Sequence, residues 1–375
     1  MIRKNGIKLR GDDAVIEAPA KADSPCSRAF GPEAICVLDD VNLDTSEVKK
    51  RVKDVSVSNF TIRGFQAEAR EGEPVFAIDL TGARDATVTG NRTVGNVNGG
   101  VVVSVSINAK VADNDLIDNR KSGAPGIMVT DNSLNTTVVK NVIRSIPDGE
   151  NAIDVINGSI NTTGEGNDFI GNWLGAYVVD SPGTKIISND MSRVGIIGTY
   201  VAGQKSQDAK VVGNDISGGA WGILVEDTHG GSVVGNNVHD NCAGMFFEAL
   251  ASQPVGDFKV AGNTVENNTR SCRDQKFGTE AFSGIGIALP GARGMEVTGN
   301  QISGNVPSGP TPVSDGIVVA QDPFSVGGAP EPKNNSVTGN TFGPNKPDIF
   351  WDKSGSGNRF VGNLCNTSVP SRLCD

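Results

Sequence analysis

The sequence predicts an all-β chain, a solenoid whose short parallel strands coil into a β-helix of about a dozen rungs. Three observations predict it. A short phrase ending in Asn returns at Asn91, Asn114, Asn141, Asn172, Asn189, Asn214, Asn236, Asn263, Asn300, Asn340 and Asn363, at a mean interval of about 27 residues. A second Asn often follows, as at Asn96, Asn119, Asn241, Asn268, Asn305 and Asn345. A Gly then opens an apolar run, as in GIMV from Gly126, GILV from Gly222 and GIVV from Gly316.

Each element has a physical reason. The apolar runs are too short for helices, are rich in Val, Ile and Phe, and are bounded by Gly, Asn and Asp, so they read as strands between tight turns. Two or three such strands fill one interval, and coils of that size stack about 4.8 Å apart. Asn tolerates left-handed backbone geometry, and its amide can bond the equivalent Asn one rung away. The intervals run from 17 residues (Asn172 to Asn189) to 40 (Asn300 to Asn340), a spread that loops on one face absorb. The longest excursions are 269–283 and 321–335, and long solenoid loops usually carry function. The charged stretch 45–55, TSEVKKRVKDV, is expected as a short helix or a solvated loop.

The repeat resembles right-handed parallel β-helix proteins of the pectate-lyase-like superfamily, over residues 5–363. It is most similar to secreted bacterial members with repeats of the GNxIxxN…GIxL type. The resemblance, with the crossover rule, implies a right-handed coil. It leaves the reaction open, because lyases, epimerases, hydrolases, phage adhesins and non-catalytic surface proteins share this fold. The Asp-Pro-His-Asp phrase of polyuronate C5-epimerases is replaced here by Glu226-Asp227-Thr228-His229. The pectin-hydrolase and pectate-lyase motifs are absent.

One domain over 1–375 is expected, with no linker to divide it. No apolar run is long enough to span a membrane, and a net charge of −10 argues against nucleic acid and anionic membranes as partners. Six Cys fall in three local pairs, Cys26/Cys36, Cys242/Cys272 and Cys365/Cys374, which reads as loop-closing disulfides in a secreted, extracellular protein. The last pair would clip the tail 364–375 to the final rung. Met1-Ile-Arg-Lys runs at once into a rung, so an export signal is expected to have been removed.

Chemistry is sought on the Gly-led strands. With the Gly at zero, positions one and three are apolar and face the core, so positions two and four face outward. Position two reads Met128, Asp154, Tyr177, Ile197, Leu224, Phe246, Gly286 and Val318. An apolar outward stripe implies a covering loop, a homo-oligomer interface or a groove. Position four places Glu226 and Glu248 on consecutive rungs, about 5 Å apart by rung spacing. Two carboxyl groups that close divide into an acid and a base or nucleophile, at the separation retaining glycosidases use. The same pair could instead hold Ca²⁺, or be two solvated glutamates. His229, after Asp227, is a candidate proton carrier or a surface residue. Tyr177, Tyr200 and Trp221 read as a sugar-stacking platform or as packing under a loop. Arg270, Arg273 and Lys276 would grip a uronic acid carboxylate or simply decorate the loop that holds Cys272.

Three functions follow. The first is an enzyme acting on a poly- or oligosaccharide as lyase, hydrolase or epimerase, with Glu226, Glu248, His229 and Asp227 catalytic and Asp154, Tyr177, Tyr200, Trp221, Phe246, Arg273 and Lys276 against the substrate. The second is a non-catalytic surface protein that oligomerises through the stripe. The third is a cyclase or isomerase holding a small apolar molecule against Leu224, Phe246 and Ile197.

Overall fold

The computed structural model describes residues 1–18, 33–42, 45, 47–65, 76–96, 99–119, 124–144, 151–249, 255–273, 281–321 and 330–375. They are strands and turns, and no helix among them is long and apolar enough to cross a membrane. The chain divides into two compact units, Met1–Asp190 and Met191–Asp375. Each is a stretch of parallel β-helix in which every coil contributes one strand to each of three sheets.

In the first unit, the first sheet contains strands such as Thr87–Thr89, Lys110–Ala112 and Thr137–Val139. The second contains Arg92–Val94, Asp115–Ile117 and Val142–Arg144. The third contains Phe76–Thr81, Gly99–Ser104, Ile127–Thr130, Ile153–Val155 and Leu174–Val179. All pair in parallel with their counterparts one coil away. Val88, Val111 and Val138 stack in register inside the coil and are fully buried. The stack continues through Gly164, opposite Val138, to Ile186. The second unit repeats the plan, with third-sheet strands Ile197–Ala202, Trp221–Glu226, Ala243–Glu248, Ile285–Pro290 and Ile317–Ala320.

The Asn repeat is a hydrogen-bonded ladder. In the first unit the Asn91 side-chain amide donates to Asn114 Oδ1, Asn114 to Asn141, Asn141 to Asn167 and Asn167 to Asn189, at 2.9–3.1 Å. In the second unit the ladder runs Asn214, Asn236, Asn263, Asn300, Asn340 and Asn363, at 2.8–3.0 Å. A parallel ladder joins Asn241, Asn268, Asn305 and Asn345. The buried amides of Asn141 and Asn263 also donate to the Val111 and Val233 carbonyls, which satisfies their second hydrogen. The residue before each ladder Asn except Asn345 takes a left-handed conformation, as at Gly90 (φ 64°) and Lys140 (φ 55°). Gly adopts it without steric cost, which is why Gly-Asn dominates the repeat.

Two expectations change. Asn172 is not on the first ladder, because Asn167 takes that place. Asn172 stands five residues later, the offset that separates Asn96 from Asn91. The 17-residue interval therefore joined two different rows, and the shortest true rung is 22 residues, from Asn167 to Asn189. The stretch 45–55 is also not helical. Glu47–Lys50 forms a strand antiparallel to Asp40–Asn42, with Val48 opposite Val41 and Lys50 Nζ 2.7 Å from Asp39. The alternating Val between charges suits a half-buried hairpin better than a helix face.

Disulfides join Cys242 to Cys272 and Cys365 to Cys374. Cys36 is also disulfide-bonded, and Cys26 lies outside the described residues. The tail adds Ser368–Val369 alongside Ile349–Trp351. Buried Asp348 fixes it by accepting from the Asn366 and Thr367 backbone N–H groups at 2.9 and 3.0 Å.

Candidate active site

The third sheet of the second unit holds the predicted carboxylate pair. Register places Leu224 beside Phe246 and Glu226 beside Glu248 on consecutive rungs, so their backbones lie about 5 Å apart. The run WGILVE carries Glu226 at its end, where the chain turns toward the first sheet and the side chain emerges from the core. Glu226 is buried, with 5% of its surface exposed, and Glu248 is half-buried. Tyr200, half-buried on the preceding rung, donates its phenolic O–H to Glu226 Oε2. Burial pushes the Glu226 carboxyl up to about 7, the Tyr200 hydrogen bond pulls it back, and the Asp227 charge raises it. A carboxyl group that is part protonated at neutral pH can give and take a proton there.

The outward row differs from the sequence reading in two rungs. Tyr200, not Ile197, lies beside Leu224, and Ile197 lies beside Trp221. Gly195 and Gly198 both offer a start for the count, and the fold uses Gly198. Ala288, not Gly286, continues the row from Phe246, for the same reason. Leu224, Phe246, Ala288 and Val318 are each at most 4% exposed, so the apolar stripe is covered within the chain.

The other predicted residues are dispersed. Asp227 forms the corner after Glu226 with φ 49°. His229 begins the next strand of the first sheet, His229–Val234, with its Nδ1 3.7 Å from Asp257 Oδ2. Trp221 packs on Phe282 with ring centroids 4.6 Å apart, beneath the short antiparallel pair Cys272–Arg273 and Ala281–Phe282. Arg273 is exposed on that pair, Arg270 donates to the Gly218 carbonyl, and Lys276 lies outside the described residues. Asp154 and Tyr177 belong to the first unit, where they are in register on adjacent rungs. Asp154 accepts from Asn151 at 2.9 Å, and burial holds its carboxyl up at about 7 against that hydrogen bond.

Some groups escaped sequence reasoning. In the second unit, burial raises Asp315 to about 8, against a backbone hydrogen bond from Ser314. In the first unit, buried Glu33 and Asp79 line a cavity on the third sheet. Asp79 sits inside the apolar strand FAIDLT, a polar residue in a core pattern, and that was its only signal.

Comparison with known proteins now adds the family. Residues 175–370 match the family described as periplasmic copper-binding protein (NosD), and residues 2–169 match the right-handed β-helix region. The chain belongs to the NosD family. Its coil is right-handed, and no curated protein matches its sequence significantly. Among solved structures, this NosD-family chain is similar to an alginate lyase, AlyF-OU02, in complex with G6. They share 12% identity, with 100% of this chain and 88% of that one covered and a TM-score of 0.58. It is similar to PfbA, a surface adhesin of Streptococcus pneumoniae, at 13% identity, with 84% and 81% covered and a TM-score of 0.52. It is also similar to the A-module of the Azotobacter vinelandii mannuronan C-5 epimerase AlgE4, at 15% identity, with 98% and 84% covered and a TM-score of 0.50. These likenesses show the fold. The chain spans 58% of the length of the Dettilon tailspike protein (gp208).

The residues present do not fit copper. The chain has only two His, His229 and His239, on separate sheets and each facing an Asp. The described Cys are disulfide-bonded, and Met191, Met245 and Met295 are fully buried. Soft thiolate, thioether and imidazole ligands are what copper selects. Among the described residues no three His, Cys, Asp or Glu side chains converge to hold an ion. The Glu226–Glu248 pair alone is also short of the oxygen set that Ca²⁺ takes.

Proposed function

We propose that this NosD-family protein is a carbohydrate-active enzyme of the periplasm or cell exterior, acting on a glycan held over the third sheet of its second unit. The observation that carries the reading is the in-register pair Glu226 and Glu248, with Glu226 buried, bonded to Tyr200 and raised to about 7. Glu226 donates its proton to the leaving oxygen as the glycosidic bond breaks. Glu248 attacks the anomeric carbon, and water then releases the sugar with Glu226 accepting the water's proton. The backbone spacing of about 5 Å supports a retaining hydrolase, whose two carboxyl groups stand about 5–5.5 Å apart. The disulfides and the family description support the location.

The test is a panel of neutral and uronic glycans, with and without Ca²⁺, comparing wild type with Glu226→Gln and Glu248→Gln. Reducing ends that form in wild type and fall about 10²–10⁴-fold in each variant support the assignment. Turnover that survives both substitutions overturns the site. A panel that yields no product overturns the enzymatic reading.

A further inference from the structure

The third sheet of the first unit contains a cavity of about 350 Å³, within the range of small-molecule sites. One wall is apolar, made by Phe76, Val102, Met128 and Ile156. Phe76 and Val102 pack with Ala124, and Met128 closes against them. Acidic groups share that face, with Asp79 beside Val102 in register. Glu33 is 6% exposed, and neither of its carboxyl oxygens has a hydrogen-bond partner among the described residues. Asp79 is fully buried, and its Oδ2 is likewise unpartnered. Asp131 stands at the edge.

Three donors around this cavity are already committed. The Thr81 hydroxyl donates to Asp79 Oδ1 at 2.6 Å and the Ser104 hydroxyl to Asp131 Oδ2 at 2.8 Å. The Asn157 amide donates to Thr130 Oγ1 at 3.0 Å. Among the described lining residues there is no Lys, Arg or His. Once ionised, Glu33 and Asp79 offer acceptors alone, beside an apolar surface. A sugar hydroxyl needs both donors and acceptors, whereas an ammonium group has three donors and no acceptor. A buried carboxyl group without a partner costs stability that a cationic ligand would recover.

We propose that this cavity is a binding site for a small organic cation, an ammonium group on an apolar body, with Glu33 and Asp79 receiving the cation and Phe76, Val102 and Met128 holding the body. In the ligand-free protein at neutral pH the Glu33 carboxyl is protonated and the Asp79 carboxyl is part protonated. Burial, and then the Asp79 charge, raises Glu33 to about 10. Burial raises Asp79 to about 7 against the Thr81 hydrogen bond. Among the described lining residues the other ionisable group is Asp131. Binding is therefore an exchange. The ammonium arrives, a carboxyl O–H gives its proton to the buffer, and a carboxylate–ammonium pair remains. Affinity rises with pH until the amine itself loses its proton.

The test is calorimetric titration of the whole protein with benzylamine, benzyl alcohol and CaCl₂ at pH 7, in phosphate and in HEPES. Benzylamine is expected to bind with an enthalpy that differs between the two buffers by the released proton, while benzyl alcohol does not bind. Glu33→Gln/Asp79→Asn is expected to weaken benzylamine by at least about tenfold. Met128→Trp, which fills the apolar side and leaves both carboxyl groups in place, is expected to weaken it as well. Benzyl alcohol binding as tightly as benzylamine overturns the proposal. So do benzylamine binding without proton release, binding unchanged in both variants, Ca²⁺ binding in place of the amine, and no benzylamine binding at millimolar concentration.

Discussion

The Tyr200 phenol donates to Glu226 Oε2 from the preceding rung. A donor to a carboxylate stabilises the ionised form, so Tyr200 restrains the rise that burial imposes on Glu226. Tyr200→Phe removes the restraint, and the Glu226 carboxyl climbs above about 7. If Glu226 is the general acid, activity is lost as pH rises through its pKa. The alkaline limb of the pH–rate profile is then expected to move upward in Tyr200→Phe, by roughly one pH unit. A limb that stays in place means that Glu226 is not the proton donor.

Asp154 carries a stability prediction with a definite sign. Its carboxyl lies at about 7 in the folded chain against an ordinary value of 3.8. A raised carboxyl favours the folded state below the unfolded pKa, and that advantage is lost as pH rises through the folded one. Asp154→Asn keeps an acceptor for Asn151 and has no charge to bury. Its stability relative to wild type is expected to grow between about pH 4 and pH 7, then level off, at roughly 4 kcal/mol. Denaturant titrations at pH 4, 5.5, 7 and 8 measure it, and a flat difference refutes it.

The ladder predicts the cost of a single amide. Asn263 Oδ1 accepts from both the backbone N–H and the side-chain amide of Asn236, each at 2.9–3.0 Å. Asn263→Ala leaves the buried Asn236 backbone N–H without its acceptor, while the Asn236 amide keeps the Val211 carbonyl, at a cost of roughly 2 kcal/mol. A loss of Tm no larger than that of an exposed substitution such as Lys210→Ala would show that the ladder follows the fold without supporting it.

Gly164 predicts a gain. It sits inside the coil between Val138 and Ile186, and a Cβ there would meet Ile186 and Ile153 at 3.5 and 3.7 Å, ordinary contact distances. Its φ is not in the left-handed region that favours glycine. Gly164→Ala is therefore expected to stabilise the chain by about 0.5–1 kcal/mol, seen as a raised midpoint in urea.

The fold was legible because the ladder demands the same residue in every coil, and a requirement of that kind repeats in the sequence. Glu226 and Glu248 were legible as neighbours because their rung has no insertion. The register failed where two glycines compete, at Gly195 and Gly198 and at Gly284 and Gly286, since both members of each pair fit a strand start. Asn172 misled because two ladders run five residues apart in one turn. Glu33 and Asp79 were hidden for a different reason. They are distant in sequence, Glu33 lies outside any regular strand, and a cavity is a property of packing with no period.

Because the ladder registers coils by one amide each, it is indifferent to how much chain lies between them. Consecutive ladder positions are separated by 22 residues at Asn214 and Asn236 and by 40 at Asn300 and Asn340, with the same bond at 2.9 Å. Recognition segments can therefore be lengthened, exchanged or grafted at the corners while the spacing of the outward rows stays fixed. That separation makes this chain a scaffold on which specificity can be redesigned without retuning the chemistry beneath it.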